Sequence, residues 1–352
     1  MLAVTLVFAF LWERQTAANN GLQIIRIKKI KEYVYMLLTF LPMYLVNACM
    51  GYVGTDYEEY FKYFERLGPT SGWHMDWAFE QICKVIKECG LPFQTVYFIV
   101  SLIGYGLLIL CIRKYTKAYV ESYLLYFFYG FFYMLGLTLI RQFIAMMLVW
   151  YAYSYIEKRQ FLKYAVFVGI ASLFHFSAII MLPMYFVLNR KLKISFLAVL
   201  AICTLPFNLN YSEIMYWLFK TFKPSYLTSN FLTKEFEVDV PYLICFLVTL
   251  FVILLYENRH KKEDDGESTY ERIAINSVYI GVFISLFCVW LPIYKRFAMY
   301  FLLPAITMVP NLLKDAGKRE KILFYVIQIG ACIFYNSRYI TWWEVIPYKT
   351  FF

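Results

Sequence analysis

Apolar runs long enough to cross a bilayer recur along the whole chain, separated by short clusters of Lys and Arg. A hydrocarbon core about 30 Å thick takes about 20 apolar residues per helix, and a helix satisfies all of its own backbone polar groups there. The pattern predicts an all-α, polytopic integral membrane protein with about 11 to 12 transmembrane helices, some of them short or re-entrant. Only 16% of the 352 residues are charged, where a soluble domain carries about 25%. No separate soluble domain is expected, and residues 1–352 are read as a single transmembrane domain. The start, MLAVTLVFAFLW, lacks the basic leader and small-residue cleavage site of a secretory signal. It is read as a retained first span with room to extend past Glu13.

Because the basic residues sit between apolar runs, the net charge of +10 reads as topology information, not as a nucleic-acid surface. Placing the clusters on the cytoplasmic side puts 26–31, 113–117, 158–163, 190–193, 259–272 and 314–321 inside. The most polar stretch, ENRHKKEDDGESTYER at 257–272, is then a cytoplasmic loop in which His260 is solvated. Two segments fall outside, 54–93 and 207–240. In the first, WAFEQICKVIKECG has the periodicity of an interfacial amphipathic helix. In the second, Tyr211, Tyr216, Trp217, Phe222 and Tyr226 suit a membrane-interface belt or a surface that stacks on sugar rings. The eight cysteines are scattered; Cys83 and Cys89 share a polar loop without a CxxC spacing or a histidine, so neither a metal site nor a disulfide framework is expected.

Two runs carry ionisable residues near their middles. Residues 164–188 hold His175, one of three histidines, and residues 122–156 are broken only by Arg141 and Gln142. The first run is long enough for one tilted span, yet basic clusters flank both runs on both sides. A single crossing would put one cluster outside; a hairpin keeps both in. Hairpin arms of about 11 to 19 residues reach roughly 17 to 29 Å, which sets their tips level with or below the outer surface. His175 and Arg141 are those tips. An ionisable group at this depth needs water, a partner or a ligand, so both are functional candidates. For His175 the alternative is a hydrogen bond inside the bundle. Arg141 cannot shed its charge and needs an anion or water beside it.

Arginines near an outward edge suit an anionic, lipid-borne substrate, because a planar guanidinium grips pyrophosphate through paired hydrogen bonds. On this topology Arg66, Arg141, Arg296 and Arg338 lie outside or near that edge. Neither a GxxxxGK phosphate loop nor GxGxxG occurs, which leaves ATP and dinucleotide chemistry without support.

GTDYEEY at 54–60, LTLIRQFIAMML at 137–148, FLKYAVFVGIASLFHFSAIIMLPMYF at 161–186 and WWEVIPY at 342–348 resemble, in order, the EpsG-type family of bacterial polysaccharide polymerases, related in role to Wzy. RQxxA and AxxFHxSA are the most specific parts, and the likeness spans most of the chain. The family often carries an Arg just before its GxDY element; here Met50 and Gly51 occupy that place.

The resemblance implies a glycosyltransferase-C-like enzyme of the bacterial cytoplasmic membrane with its active site facing outward. A growing glycan would leave undecaprenyl pyrophosphate and pass to the terminal sugar hydroxyl of an incoming lipid-linked repeat. Besides that oligosaccharide, the implied partners are the lipid bilayer and a chain-length regulator protein, with no nucleic acid. In this scheme His175 is the base that takes the hydroxyl proton, while Arg141, Arg296 and Arg338 hold the departing pyrophosphate. Asp56, with Glu58 in a D-x-E pair, is a second base candidate, or else the N-cap of a short helix. Gln142, Glu58 and Tyr57 are further substrate-site candidates. Lipid pyrophosphate is already an activated leaving group, so no cofactor is implied, and no metal.

Other activities make different demands. A glycan ligase would share this arrangement. A flippase or transporter of lipid-linked oligosaccharide would line a path through both leaflets, whereas Arg141, His175 and Arg296 gather toward one side. A membrane acyltransferase would draw its acyl donor from the cytoplasm, opposite His175.

Overall fold

The computed structural model describes residues 1–17, 25–68, 75–129, 132–190, 240–259, 269–288, 294–339 and 344–352, with isolated positions between 192 and 221. Among these the elements are helical, and the one β feature is an isolated bridge between Met50 and Thr350. The first helices are α1 (Leu2–Ala17), α2 (Ile25–Ala48), α3 (Tyr57–Arg66), α4 (Trp77–Glu88), α5 (Gln94–Tyr115) and α6 (Tyr119–Phe128). Then come α7 (Phe132–Thr138), α8 (Ile140–Tyr151), α9 (Tyr153–Glu157), α10 (Phe161–Phe174), a 3-10 turn (Phe176–Met181) and α11 (Met184–Leu188). The remainder are α12 (Val240–Arg259), α13 (Thr269–Phe287), α14 (Tyr294–Leu302), α15 (Ala305–Leu312) and α16 (Lys318–Tyr339). One buried cluster runs through them from Ala9 to Val345. Most of the second outer segment, 207–240, and His260 with the loop after it lie outside the described residues.

Expected and observed spans differ in how the apolar runs are divided. Among the described residues, only α5 is as a single helix both long and apolar enough to cross a membrane; α6 and α7 together make a second if they count as one bent span. Elsewhere the runs are cut or end in charge. Leu139 leaves helical geometry between α7 and α8 at φ −109° and ψ 54°, and His175 is extended at φ −155° and ψ 112°. Both α2 and α16 open on basic turns, IRIKK and KREK, and α12 closes on YENR. In the first helix, α1 runs on through Glu13 to Ala17 as expected. The WAFEQICKVIKE segment is α4, with Phe79, Cys83 and Ile86 on its buried face and Trp77 and Val85 exposed.

Residues 161–188 fold back on themselves. The Tyr164 hydroxyl donates to the Met181 carbonyl at 2.7 Å, and ring contacts join Tyr164 to Tyr185 (5.5 Å) and Phe161 to Phe186 (5.4 Å). The chain therefore reverses at His175. The run before it reverses less sharply, through α7, with Gly136 wedged between Tyr126 of α6 and Phe143 of α8. Arg141 occupies the first turn of α8.

α5 packs between α2 and α8, and its first turn organises one end of the bundle. The Gln94 amide donates to the carbonyls of Ala48 and Met50 and accepts from the Tyr57 hydroxyl at 3.2 Å. This ties the end of α2 and the start of α3 to α5. The C-terminal tail lies over the same segment: Gly51 N–H donates to the Lys349 carbonyl (3.0 Å), Phe351 N–H to Cys49 (3.2 Å), and the Tyr348 hydroxyl to Val46 (2.6 Å). At Gly51 a Cβ would sit 2.6 Å from the Phe351 Cα, so only glycine lets the two backbones approach. Gly51→Ala is expected to lower stability by about 1–3 kcal/mol through displacement of the tail. Thermal unfolding in detergent checks this; an unchanged midpoint would show that the tail does not brace the loop.

Candidate active site

The opposite ends of the bundle differ in chemistry. At one end Lys114 reaches from α5 to the Tyr151 carbonyl (2.9 Å) and the Ser154 hydroxyl (2.6 Å), and Arg113 pairs with Glu32 (3.1 Å). At the other end are the start of α8, the tip of the 161–188 hairpin and the openings of α3 and α4.

There Asp56, Tyr60, Arg141, Asp76 and His175 form a continuous hydrogen-bonded row. The Tyr60 hydroxyl donates to Asp56 Oδ2 at 2.9 Å and accepts from Arg141 Nε at 3.1 Å. Arg141 Nη1 meets Asp76 Oδ2 at 2.5 Å, and the same oxygen lies 3.4 Å from His175 Nδ1. The Phe176 N–H donates to the other oxygen, Asp76 Oδ1, at 3.2 Å. Arg141 also lies against the rings of Tyr60 (4.9 Å) and Phe79 (5.7 Å), a cation–π seat that a partly buried guanidinium favours.

Both acidic residues precede helices, yet neither caps one with its side chain. Asp56 turns to Tyr60, and Asp76 to Arg141 and the hairpin tip. Burial alone would raise the Asp76 carboxyl. The His175 hydrogen bond, the charges of Arg141 and His175, and the Phe176 amide together outweigh it and hold the group below its ordinary value. Asp76 is thus an anion placed between two cation-forming side chains. With side-chain exposures of 18%, 17% and 21%, Arg141, Asp76 and His175 are sheltered but open to a ligand. His175 Nε2 has no partner among the described residues. An imidazole whose Nδ1–H donates to a carboxylate carries its lone pair on Nε2, the form a proton acceptor requires.

The other predicted residues fall into three groups. Gln142 is buried beside Arg141 and donates to the Arg296 backbone carbonyl at 2.8 Å, which brings α14 to the row. One turn further along α14, Tyr300 meets the Ser177 hydroxyl at 3.1 Å, two residues past His175. Arg296 is exposed, makes no ion pair among the described residues, and is tied to the row through its backbone carbonyl. Glu58 and Tyr57 do not join the row: Glu58 is exposed and pairs with Lys62 at 2.6 Å, and Tyr57 turns inward to Gln94. Arg338 is in the last turn of α16, and its side chain lies outside the described residues.

Asp76 and Tyr60 were not singled out from the sequence. The available signal was the charge of Arg141, which calls for an anion, with Asp76 standing just before the amphipathic segment WAFEQICKVIKE. Among the described residues, no three of His, Cys, Asp and Glu converge as metal ligands would.

The described helices thus gather arginine, histidine and carboxylates at the end of the bundle opposite Arg113 and Lys114. The chain belongs to the EpsG family, the family of Wzy-like polysaccharide polymerases, whose family model matches residues 33–350. No curated protein and no solved structure matches it.

Proposed function

We propose that the protein polymerises repeat units of an exopolysaccharide, capsule or O-antigen at the outer face of a bacterial cytoplasmic membrane. The terminal sugar hydroxyl of an incoming lipid-linked repeat attacks the anomeric carbon of the growing chain. The bond from that carbon to pyrophosphate breaks, its electron pair leaves with undecaprenyl pyrophosphate, and the hydroxyl proton passes to His175 Nε2. Arg296 and Arg141 offset the charge that gathers on the leaving group. The observation that carries this reading is the pairing at the hairpin tip: an imidazole with no partner on Nε2 among the described residues, backed by Asp76, which also pairs with Arg141.

The surface supports a membrane setting. Leu162, Val166, Ile170 and Leu173 form an exposed apolar stripe on α10, and Ile322, Leu323, Val326 and Ile327 form another on α16. Inside, Asn47 is buried and bonded to the Gly136 carbonyl (3.0 Å) and to Ser101 (2.5 Å). Apolar stripes outward with paired polar groups inward suit lipid as the neighbour. Counted from the basic end, α8 and α10 rise only about 18 to 21 Å, so the row sits below the far surface of a core about 30 Å thick.

Loss of the gene is expected to stop long glycan and to leave lipid-linked single repeats in the membrane, with the wild-type copy restoring polymer. Orientation is tested with single cysteines in a cysteine-free background. One at Ser337 should react with an impermeant thiol reagent in intact cells, and one at Ser268 only after lysis. Labelling of Ser268 in intact cells would invert the topology and place the row on the wrong face.

A further inference from the structure

Asp76 lies between the two groups that the reaction uses. We propose that it is a positioning residue that holds Arg141 while the site is empty and is left to His175 alone once the donor's pyrophosphate takes the guanidinium. The inference deepens the polymerase reading and rests on it.

The geometry is that of an anion shared unequally. A single oxygen, Asp76 Oδ2, lies 2.5 Å from Arg141 Nη1 and 3.4 Å from His175 Nδ1. The first is a full charge-assisted contact and the second is at the outer limit of a hydrogen bond. The other oxygen is pinned by the Phe176 amide at 3.2 Å, so the carboxylate stays at the hairpin tip however Oδ2 is used. Arg141 has supports of its own in the Tyr60 hydroxyl and the rings of Tyr60 and Phe79. It can exchange its anion without losing its place.

Pyrophosphate carries more charge than a carboxylate and offers oxygens that match a planar guanidinium in pairs. It therefore displaces Asp76 from Arg141. Among the described residues one partner then remains for Oδ2, the His175 Nδ1. A carboxylate given over to an imidazole fixes its tautomer and stabilises the imidazolium that forms when a proton arrives on Nε2. Gripping the leaving group and arming the base thus become one event.

The test uses the full-length protein in nanodiscs, with His74→Gln and His260→Gln leaving His175 as the single ¹⁵N-labelled histidine, and inorganic pyrophosphate as the probe. In otherwise wild-type protein the His175 Nδ1 resonance is expected to move as pyrophosphate saturates. Asp76→Asn removes the competing charge and should bind pyrophosphate about 5-fold or more tightly, while kcat for polymerisation falls about 10²-fold or more. Asp76→Glu, which restores a carboxylate, should recover part of that kcat. A carboxylate that merely held the fold would lose affinity and turnover together, and that outcome overturns the proposal. So does an Nδ1 resonance that stays put at saturation, whatever the variants do. A protein that shows the shift but makes no polymer from lipid-linked repeats would sink the polymerase reading and leave the shared-anion device standing.

Discussion

His175→Gln is expected to abolish long glycan while lipid-linked single repeats accumulate and the protein level stays unchanged. Glutamine keeps a polar side chain at the hairpin tip and can still donate toward Asp76, but it takes up no proton near neutral pH. Losing a positioned general base typically costs about 10²- to 10⁴-fold in turnover. His175→Ala should give the same product pattern with an added loss of hairpin order. Glycan length on gels and extraction of the lipid-linked pool report both. Near-normal polymer from the Gln variant would reduce His175 to a hydrogen bond that ties the tip to α4. The base role would then pass to Asp56, whose carboxylate stands at the other end of the row, bonded to Tyr60 at 2.9 Å.

Arg141→Lys tests a different physical quantity, since the charge is kept and the fork is lost. Arg141 uses Nε on Tyr60 and Nη1 on Asp76 while its plane lies against two rings. An ammonium on a flexible stem satisfies one of those partners at a time. Removing one preorganised charge-stabilising contact costs about 10²- to 10³-fold, enough to leave only short oligomers. On the proposed assignment of Arg141 to pyrophosphate, the defect should be the same for every repeat unit accepted. If Arg141 served only to anchor a helix end at the membrane surface, Lys would snorkel equally well. Wild-type glycan length from a normally expressed Arg141→Lys protein would remove Arg141 from the site.

His175 and Arg141 were legible in the sequence because an ionisable residue within an apolar run stands out and basic clusters on both flanks imply a reversal. The structure places the reversal of 161–188 at His175 and puts Arg141 in the first turn of α8. The D-x-E pair was legible as a pair but not as two different fates. Asp56 faces Tyr60, and Glu58, two residues on around a helix, faces Lys62 and solvent. Periodicity shows which residues share a face; it does not show which neighbour that face meets. Asp76 was hidden for the opposite reason: in a polar loop a carboxylate is ordinary, and only the folding of α4 over the hairpin makes it a sheltered partner of Arg141 and His175. The number of unbroken spans was the least legible feature, since the helices break at Leu139 and His175, neither of which is a Pro or a Gly.

The central claim is that repeat units are joined at the row from Asp56 to His175, with lipid pyrophosphate as the leaving group. Reconstitution of the purified protein in nanodiscs with a synthetic undecaprenyl-pyrophosphate-linked repeat, and no nucleotide, measures this directly. Wild-type protein should form glycosidic linkages and release undecaprenyl pyrophosphate mole for mole, and His175→Gln should do neither at a comparable rate. Linkages formed without that release, or formed equally well by His175→Gln, would contradict it.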